Sequence, residues 1–407
     1  MVRRLPVVQR RGRVPVEASA DPLHLSAVMT GRPLFIGSDI YRDTQFARGH
    51  PLAIPRVSAV IDLAKALGWL DAENYVDSPR ATPTQLARFH DPTYIDAVMA
   101  AERDQTLPDT NKRRFNIGTI EAPIYDAMFR RPATAAGASI LAAELVSQSG
   151  VVFSPASGTH HGRRDQASGF CFFNDPVLGI FALLDQGLER VLYIDIDAHH
   201  GDGVQAAFAD DPRVLTVSVH EAERWPGTGV VEDRAGGMAR NLPVPPGFND
   251  SEMAYVLEAA LLPLADWFTP QAIMVQCGAD ALDEDPLSKL ALSNASHRSV
   301  VSAMMPLTDR LIVTGGGGYN PWAVARCWVG VWATLNGHAI PERLPKEAEA
   351  VLRGLTWRRA AGRNPPDHWF VTLADRPRLG PVRSEVRDLV CAVNAPARGL
   401  NGLFSLD

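Results

Sequence analysis

The fold class predicted from this sequence is a layered α/β domain built around a parallel sheet. Short β-branched runs recur along the chain. They are near-continuously apolar rather than alternating, as strands covered on both faces are. Patterns of helical spacing lie between them, and strand alternating with helix is the signature of an α/β layer. The strand candidates, in order, are Pro33–Gly37, Val151–Ser154, Val191–Ile196, Val214–Val219, Ala272–Gln276 and Leu311–Thr314. Of the helical candidates, Ile54–Leu67 stops at Gly68, a usual stop signal. Ala133–Val146 is alanine-rich and amphipathic. Glu252–Trp267 follows Asn249-Asp250-Ser251, residues that cap helix N-termini.

The 407 residues can bury a large core, as one big α/β domain or two of ordinary size. With 46% hydrophobic and 21% charged residues, disorder is excluded as a global description. A net charge of -6 offers no basic field for nucleic acid. No apolar run approaches the ~20 residues that span a bilayer, so neither nucleic acid nor membrane is an expected partner. Cys171, Cys277, Cys327 and Cys391 lie far apart, without a CxxC pair. They read as reduced thiols of a cytoplasmic protein, and a zinc knuckle is excluded. Residues 1–30 carry Arg3, Arg4, Arg10, Arg11 and Arg13 before the first acid, Glu17, and no apolar segment of a secretory signal. Pro6 and Pro15 interrupt any amphipathic helix, so a flexible, solvated tail is expected there.

Polar residues fall where the strands end. Val151–Ser154 runs into Gly158-Thr159-His160-His161-Gly162, and Val191–Ile196 into Asp197-Ala198-His199-His200-Gly201-Asp202-Gly203. Ala272–Gln276 is followed by Cys277-Gly278-Ala279-Asp280, and Leu311–Thr314 by four glycines and Tyr319. Ligands of open parallel sheets bind beyond the carboxyl ends of strands, so the four clusters are expected to share one crevice.

Alternation along an extended chain puts Asp195, Asp197 and His199 on one side. Asp197 and His199, with Asp280 from another strand end, form a three-residue oxygen–nitrogen set. Such a set suits zinc, with iron or cobalt fitting the same ligands, and it leaves a coordination position open for water, as catalytic sites do. An isolated Asp-x-His is more often a helix cap or an arginine partner; the third acid and the histidine pair favour a metal. His160 and His161 can serve as base and acid near neutral pH. Each needs a carboxylate to fix its tautomer, and Asp195 and Asp202 are the free ones. The glycines Gly315–Gly318 permit close backbone approach, and the Tyr319 hydroxyl can hydrogen-bond an oxyanion. No Lys-Ser or Lys-Thr follows them, so a P-loop is excluded.

Together, Gly158–Gly162, Gly169-Phe170-Cys171-Phe172-Phe173-Asn174-Asp175, Asp195–Gly203, Gly278-Ala279-Asp280 and Gly315–Asn320 resemble the zinc-dependent histone deacetylase family. That family includes bacterial acetoin-utilization proteins and acetylpolyamine amidohydrolases. The matches keep their order over about residues 35 to 340. The resemblance implies the arginase–deacetylase fold: one α/β domain with a central eight-stranded parallel sheet flanked by helices. It implies a catalytic domain at 31–345, with a C-terminal extension at 346–407 that packs on the domain or mediates self-association.

Carried over position by position, the resemblance implies zinc on Asp197, His199 and Asp280. It pairs His160 with Asp195 and His161 with Asp202, makes His161 the main base and acid, and makes His160 an electrostatic helper. Tyr319 would polarise the substrate carbonyl. Phe170 and Trp225 would wall a channel for an acylated lysine stem, and Gly169 would offer its carbonyl there. A structural potassium or sodium ion is implied at Asp195, Asp197, His199 and Ser218. Three positions depart from the common pattern. Trp225 stands where phenylalanine is usual, and Glu121 where a rim aspartate grips substrate. Leu287 stands where polyamine-selective relatives carry an acid.

The expected reaction is hydrolysis of an N-acyl lysine amide, in a protein or peptide. The alternatives are an acylpolyamine or other small-amide hydrolase and a non-catalytic acyl-lysine binder. An arginase-like dimanganese enzyme would need carboxylates where His160, His161 and Tyr319 stand.

Overall fold

The computed structural model describes residues 31–395 apart from 45 and 48. The expected tail at 1–30 and the end of the C-terminal extension, 396–407, lie outside the described residues. Eight strands form one wholly parallel sheet. They are β1 (Leu34–Gly37), β2 (Tyr75–Asp77), β3 (Gly150–Ser154), β4 (Val191–Asp195), β5 (Val214–Glu221), β6 (Ala239–Val244), β7 (Ala272–Gln276) and β8 (Arg310–Thr314). Their spatial order is β2-β1-β3-β8-β7-β4-β5-β6. The four strands that end in polar clusters, β3, β8, β7 and β4, are therefore consecutive at the centre of the sheet.

Alternate residues of the central strands enter two different cores. Leu192, Ile194, Ile273, Val275, Leu311 and Val313 face one layer of helices. Val191, Tyr193, Met274 and Ile312 face the other. The first layer contains α1 (Val57–Ala66), α4 (Asp250–Phe268), α5 (Asn294–Met304) and α6 (Pro321–Leu335). The second contains α2 (Arg130–Leu145) and α3 (Asp175–Asp185). Burial on both faces is why these strands read as unbroken apolar runs. A third cluster, including Tyr94, Phe115, Phe129, Phe172 and Phe173, sits under the loop that carries Phe170.

Two strands went unread. β2 has three residues, too few for a pattern. β6 contains Arg240, Asn241 and Pro243, and proline is tolerated because β6 is an edge strand. Arg240 Nη1 donates to the carbonyls of Gly237 and Ala239.

The segment read as one helix from Glu252 is α4, which runs Asp250–Val256, passes a π turn at Leu257–Leu261 and resumes at Leu262–Phe268. Pro263 has no N–H to give the Ala259 carbonyl, so the ladder shifts. Asn394 Nδ2 donates to that carbonyl instead, at 2.7 Å. Asn249 caps α4 in a reciprocal box with Glu252. Beyond residue 345, α7 (Lys346–Arg353) packs on α1 and α8 (Ser384–Asn394) lies against β6. Trp322, Trp328 and Trp332 are all buried in the core. Among the described residues, no helix is long and apolar enough to cross a membrane.

Candidate active site

Each polar cluster is placed by the strand before it. β4 delivers Asp195 to the sheet's upper edge, where Tyr193 Oη donates to Asp195 Oδ2 at 2.7 Å and the Asp197 N–H donates to Oδ1 at 3.1 Å. Across the top of β7 and β4, Asp197, His199 and Asp280 bring one ligand atom each to within 4.8 Å of the others. His199 Nδ1 lies 3.1 Å from Asp197 Oδ1 and 3.0 Å from Asp280 Oδ2. Further donors fix the carboxylates: Gln276 Nε2 at 3.0 Å and Gly317 N–H at 2.7 Å to Asp197 Oδ2, and Ala198 N–H at 3.0 Å to Asp280 Oδ1.

This trio fits a divalent cation. Its donors are two carboxylates and an imidazole, a zinc-compatible set. Asp280 is pushed up by burial and by the adjacent negative Asp197, a repulsion that a cation between them would offset. The backbone also comes close to the two carboxylates. A Cβ on Gly278 would stand 2.5 Å from Asp197 Cγ, and one on Gly317 would stand 2.6 Å from Asp280 Cγ. The glycines after β7 and β8 are thus needed for close approach to the carboxylates.

The histidine pair follows β3. His160 Nδ1 donates to Asp195 Oδ2 and His161 Nδ1 to Asp202 Oδ1, both at 2.7 Å. Arg163 binds the other oxygen of Asp202. Asn174 Nδ2 holds the carbonyls of His160 and Gly162, both at 3.0 Å. Asp175 accepts from the N–H groups of Gly158 and Thr159. Asn174 and Asp175 therefore set the path of the turn that presents both imidazoles.

The two histidines differ electrostatically. Burial opposes a charge on His160, but Asp195 and Asp197 outweigh it and raise its pKa to about 9. Burial and the charge of His160 lower His161 to about 3; the two rings are 3.9 Å apart. The neighbouring carboxylates thus favour a proton on His160, while burial and His160 disfavour one on His161.

The walls of the site are aromatic. Tyr319 meets Phe170 edge-on at 5.8 Å, and Trp225 meets His161 edge-on at 4.7 Å. Phe170 itself has φ of 67°, a conformation that a bulky residue rarely takes and that clusters at functional sites. Gly169 N lies 3.5 Å from Glu121 Oε2, which puts Glu121 beside the same turn. Trp225 is 40% exposed and so stands at the mouth. Leu287 donates its N–H to Asp285 Oδ1 at 2.9 Å and shares a loop with the carboxylate that accepts from Tyr319 N–H at 2.6 Å. Ser218 is the register partner of Asp195 across β4 and β5, and its Oγ lies 3.0 Å from His220 Nδ1. His200 turns away from the trio, towards Thr228 and Gln205.

A Histone deacetylase domain profile matches residues 50–335. The chain belongs to the histone deacetylase family. It is 35% identical over 305 residues to "Putative histone deacetylase 2" of Caenorhabditis elegans, covering 73% of this chain and 60% of that one. To "Histone deacetylase RPD3" of Saccharomyces cerevisiae it is 34% identical over 308 residues, 74% of this chain and 71% of the relative. The chain thus spans about 60% of the length of the first of these curated relatives. A crystal structure of an HDAC homolog from Aquifex aeolicus superimposes with a TM-score of 0.86 at 36% identity, covering 89% of this chain and all of the other. A second structure, of an HDAC homolog complexed with SAHA, matches with the same score and coverage. The fold of this deacetylase-family chain is accordingly the arginase–deacetylase fold implied by its motifs.

The candidate site has supports without a role in the sequence analysis: Tyr193, Gln276, Asn174, Asp175, Arg163 and Asp285. Arg56 is another. It donates to the Gly316 carbonyl, lies 5.0 Å over the Trp328 ring, and lines a cavity of about 80 Å³ with Tyr41, Tyr125, Arg131 and Phe170. Asn174 and Asp175 lie within the motif that carried the resemblance; the other five have no sequence signal of their own.

Proposed function

We propose that this protein is a zinc-dependent deacylase that hydrolyses the amide of an N-acyl lysine, acetyl-lysine in the first place. The observation that carries the reading is the convergence of two histidine–aspartate dyads with the Asp197–His199–Asp280 trio, with Trp225 against His161 and Phe170 against Tyr319. A divalent ion bound by the trio would supply Lewis-acid polarisation of the carbonyl and make water a better nucleophile.

The chain's own residues supply the proton chemistry. His161, neutral and oriented by Asp202, takes the proton of the attacking water at Nε2 and then gives it to the departing amine nitrogen. His160, held positive by Asp195, favours the negative charge that develops beside it. The Tyr319 hydroxyl donates to the carbonyl oxygen as it becomes an oxyanion. Phe170 and Trp225 flank the lysine stem and exclude water, the Gly169 carbonyl faces the stem, and Glu121 engages the substrate backbone at the rim. Leu287 adds no carboxylate, which disfavours a substrate with a second ammonium group. We further place a potassium or sodium ion at Asp195, Asp197, His199 and Ser218. The catalytic domain is assigned to 31–345, flanked by a tail at 1–30 and an extension at 346–407. The free cysteines support a cytoplasmic location.

Turnover of acetyl-lysine peptides is to be compared with that of acetylputrescine and acetylspermidine, using zinc-reconstituted enzyme. The peptides should be preferred. Faster cleavage of the polyamines would replace this substrate assignment with the small-amine one.

A further inference from the structure

Tyr319 is held through its backbone by a distant loop rather than by the trio. Its N–H donates to Asp285, and Asn320 Nδ2 donates to the Glu284 carbonyl at 3.2 Å. The loop 283–285 is therefore the cradle of Tyr319, and a second segment grips that loop from outside. His368 Nε2 lies 2.7 Å from Glu284 Oε1, and Arg378 pairs with Asp283 at 2.9 Å. Buried Arg326, on α6, links the two: it stands 3.8 Å from Glu284 Oε2, donates to the Thr372 carbonyl at 2.8 Å, and pairs with Asp375 at 2.5 Å. Asn294 anchors the segment through Asp375 and the Leu373 carbonyl. Trp369 stacks on Trp322, in the first turn of α6, at 5.0 Å. All of the segment 368–378 lies beyond residue 335, where the family profile stops.

We propose that Glu284 and His368 are positioning residues for Tyr319: the C-terminal segment clamps the loop 283–285 and thereby fixes where the tyrosine hydroxyl meets the substrate carbonyl. The proposal rests on the deacylase reading for the task of Tyr319, not for the clamp itself. The His368 and Glu284 side chains are 47% and 17% exposed, and a surface side-chain contact of this kind adds little to global stability. Losing the pair should therefore loosen the loop without unfolding the domain. A shift of the hydroxyl by about 1 Å costs on the order of a hundredfold in rate, so partial loosening should cost roughly tenfold.

The test uses full-length, zinc-loaded enzyme carrying His368→Ala or Glu284→Ala, with His368→Gln as the conservative variant and Arg387→Ala as a control on α8. Amide hydrogen exchange of the peptide spanning 315–321 is measured beside kcat, KM and the melting temperature. Expected for His368→Ala and Glu284→Ala are roughly tenfold faster exchange at that peptide and roughly tenfold lower kcat. For His368→Ala, KM should stay within about twofold and the melting temperature unchanged; Glu284→Ala also strips a partner from buried Arg326 and should melt lower, so His368→Ala alone carries the stability readout. His368→Gln should recover most of the loss, and Arg387→Ala should match wild type. Unchanged exchange at 315–321 overturns the clamp. So does a general rise in exchange with a lowered melting temperature in His368→Ala, which would mark the pair as merely structural. Should wild type itself fail to cleave acetyl-lysine peptides, the reading of the site fails, and the exchange result alone still decides the clamp.

Discussion

Gly169→Ala tests the channel geometry most sharply. Gly169 sits at φ of 54° between Trp225 and His161. An added Cβ would stand 2.7 Å from Trp225 Cζ3 and 2.5 Å from His161 Cδ2. Carbon atoms pack at no less than about 3.5 Å, so each ring must retreat by roughly 0.8–1 Å. Trp225 can swing outward because it stands at the mouth. His161 cannot, because Asp202 holds its Nδ1 at 2.7 Å and the tilted His160 ring packs against it at 3.9 Å. A base displaced by about 1 Å costs on the order of a hundredfold in kcat. The left-handed backbone adds about 1–2 kcal/mol of destabilisation, which a shift in urea midpoint would register separately. Steady-state kinetics on an acetyl-lysine peptide read the catalytic loss. Adding Trp225→Phe removes the outer ring atoms that the new Cβ meets, so the double variant should regain part of the activity. Wild-type kcat in Gly169→Ala would refute the placement of Trp225 and His161 against this turn.

Tyr319→Phe keeps the edge contact with Phe170 and loses only the hydroxyl; kcat should fall by roughly 10²–10³-fold while zinc content stays at one per chain, as checked by metal analysis. Acid should destabilise the fold through His90, which is buried and accepts the Asn174 N–H at Nε2, 3.0 Å away. Burial lowers its pKa from 6.5 to about 4. Between those values the unfolded chain binds a proton that the folded chain refuses, so stability falls as pH drops through that window, by on the order of 3 kcal/mol in all. Urea midpoints measured from pH 6.5 to pH 4 should show this slope, and His90→Gln, which keeps an acceptor, should flatten it.

What could be read from the sequence follows a physical line. β4 and β7 are buried on both faces, so their residues had to be apolar and their boundaries were nearly right. β6 sits at the edge, where Arg240 and Pro243 are tolerated and the pattern disappears. Pro263 was visible, yet its effect on α4 depends on Asn394, over a hundred residues away. The same division holds at the site. Asp197, His199, Asp280, the histidine pair and Tyr319 stand out as candidates in the sequence because rare chemistry stands at strand ends, and the fold brings Asp197, His199 and Asp280 together. Gln276, Asp285 and Tyr193 are ordinary residues in sequence; only the neighbours they meet across the sheet give them work. Glu284 and His368 lie 84 positions apart, a distance over which no spacing rule reaches.

His161 is proposed as the proton-transfer group beside a metal held by Asp197, His199 and Asp280. The most direct measurement compares lysine deacetylation by zinc-reconstituted wild type, chelator-treated wild type and zinc-loaded His161→Ala. Hydrolysis should appear only in the reconstituted wild type, with chelation abolishing it and His161→Ala lowering kcat by roughly 10²–10⁴-fold. Near wild-type turnover in His161→Ala with full zinc content, or undiminished turnover after complete metal removal, would contradict it.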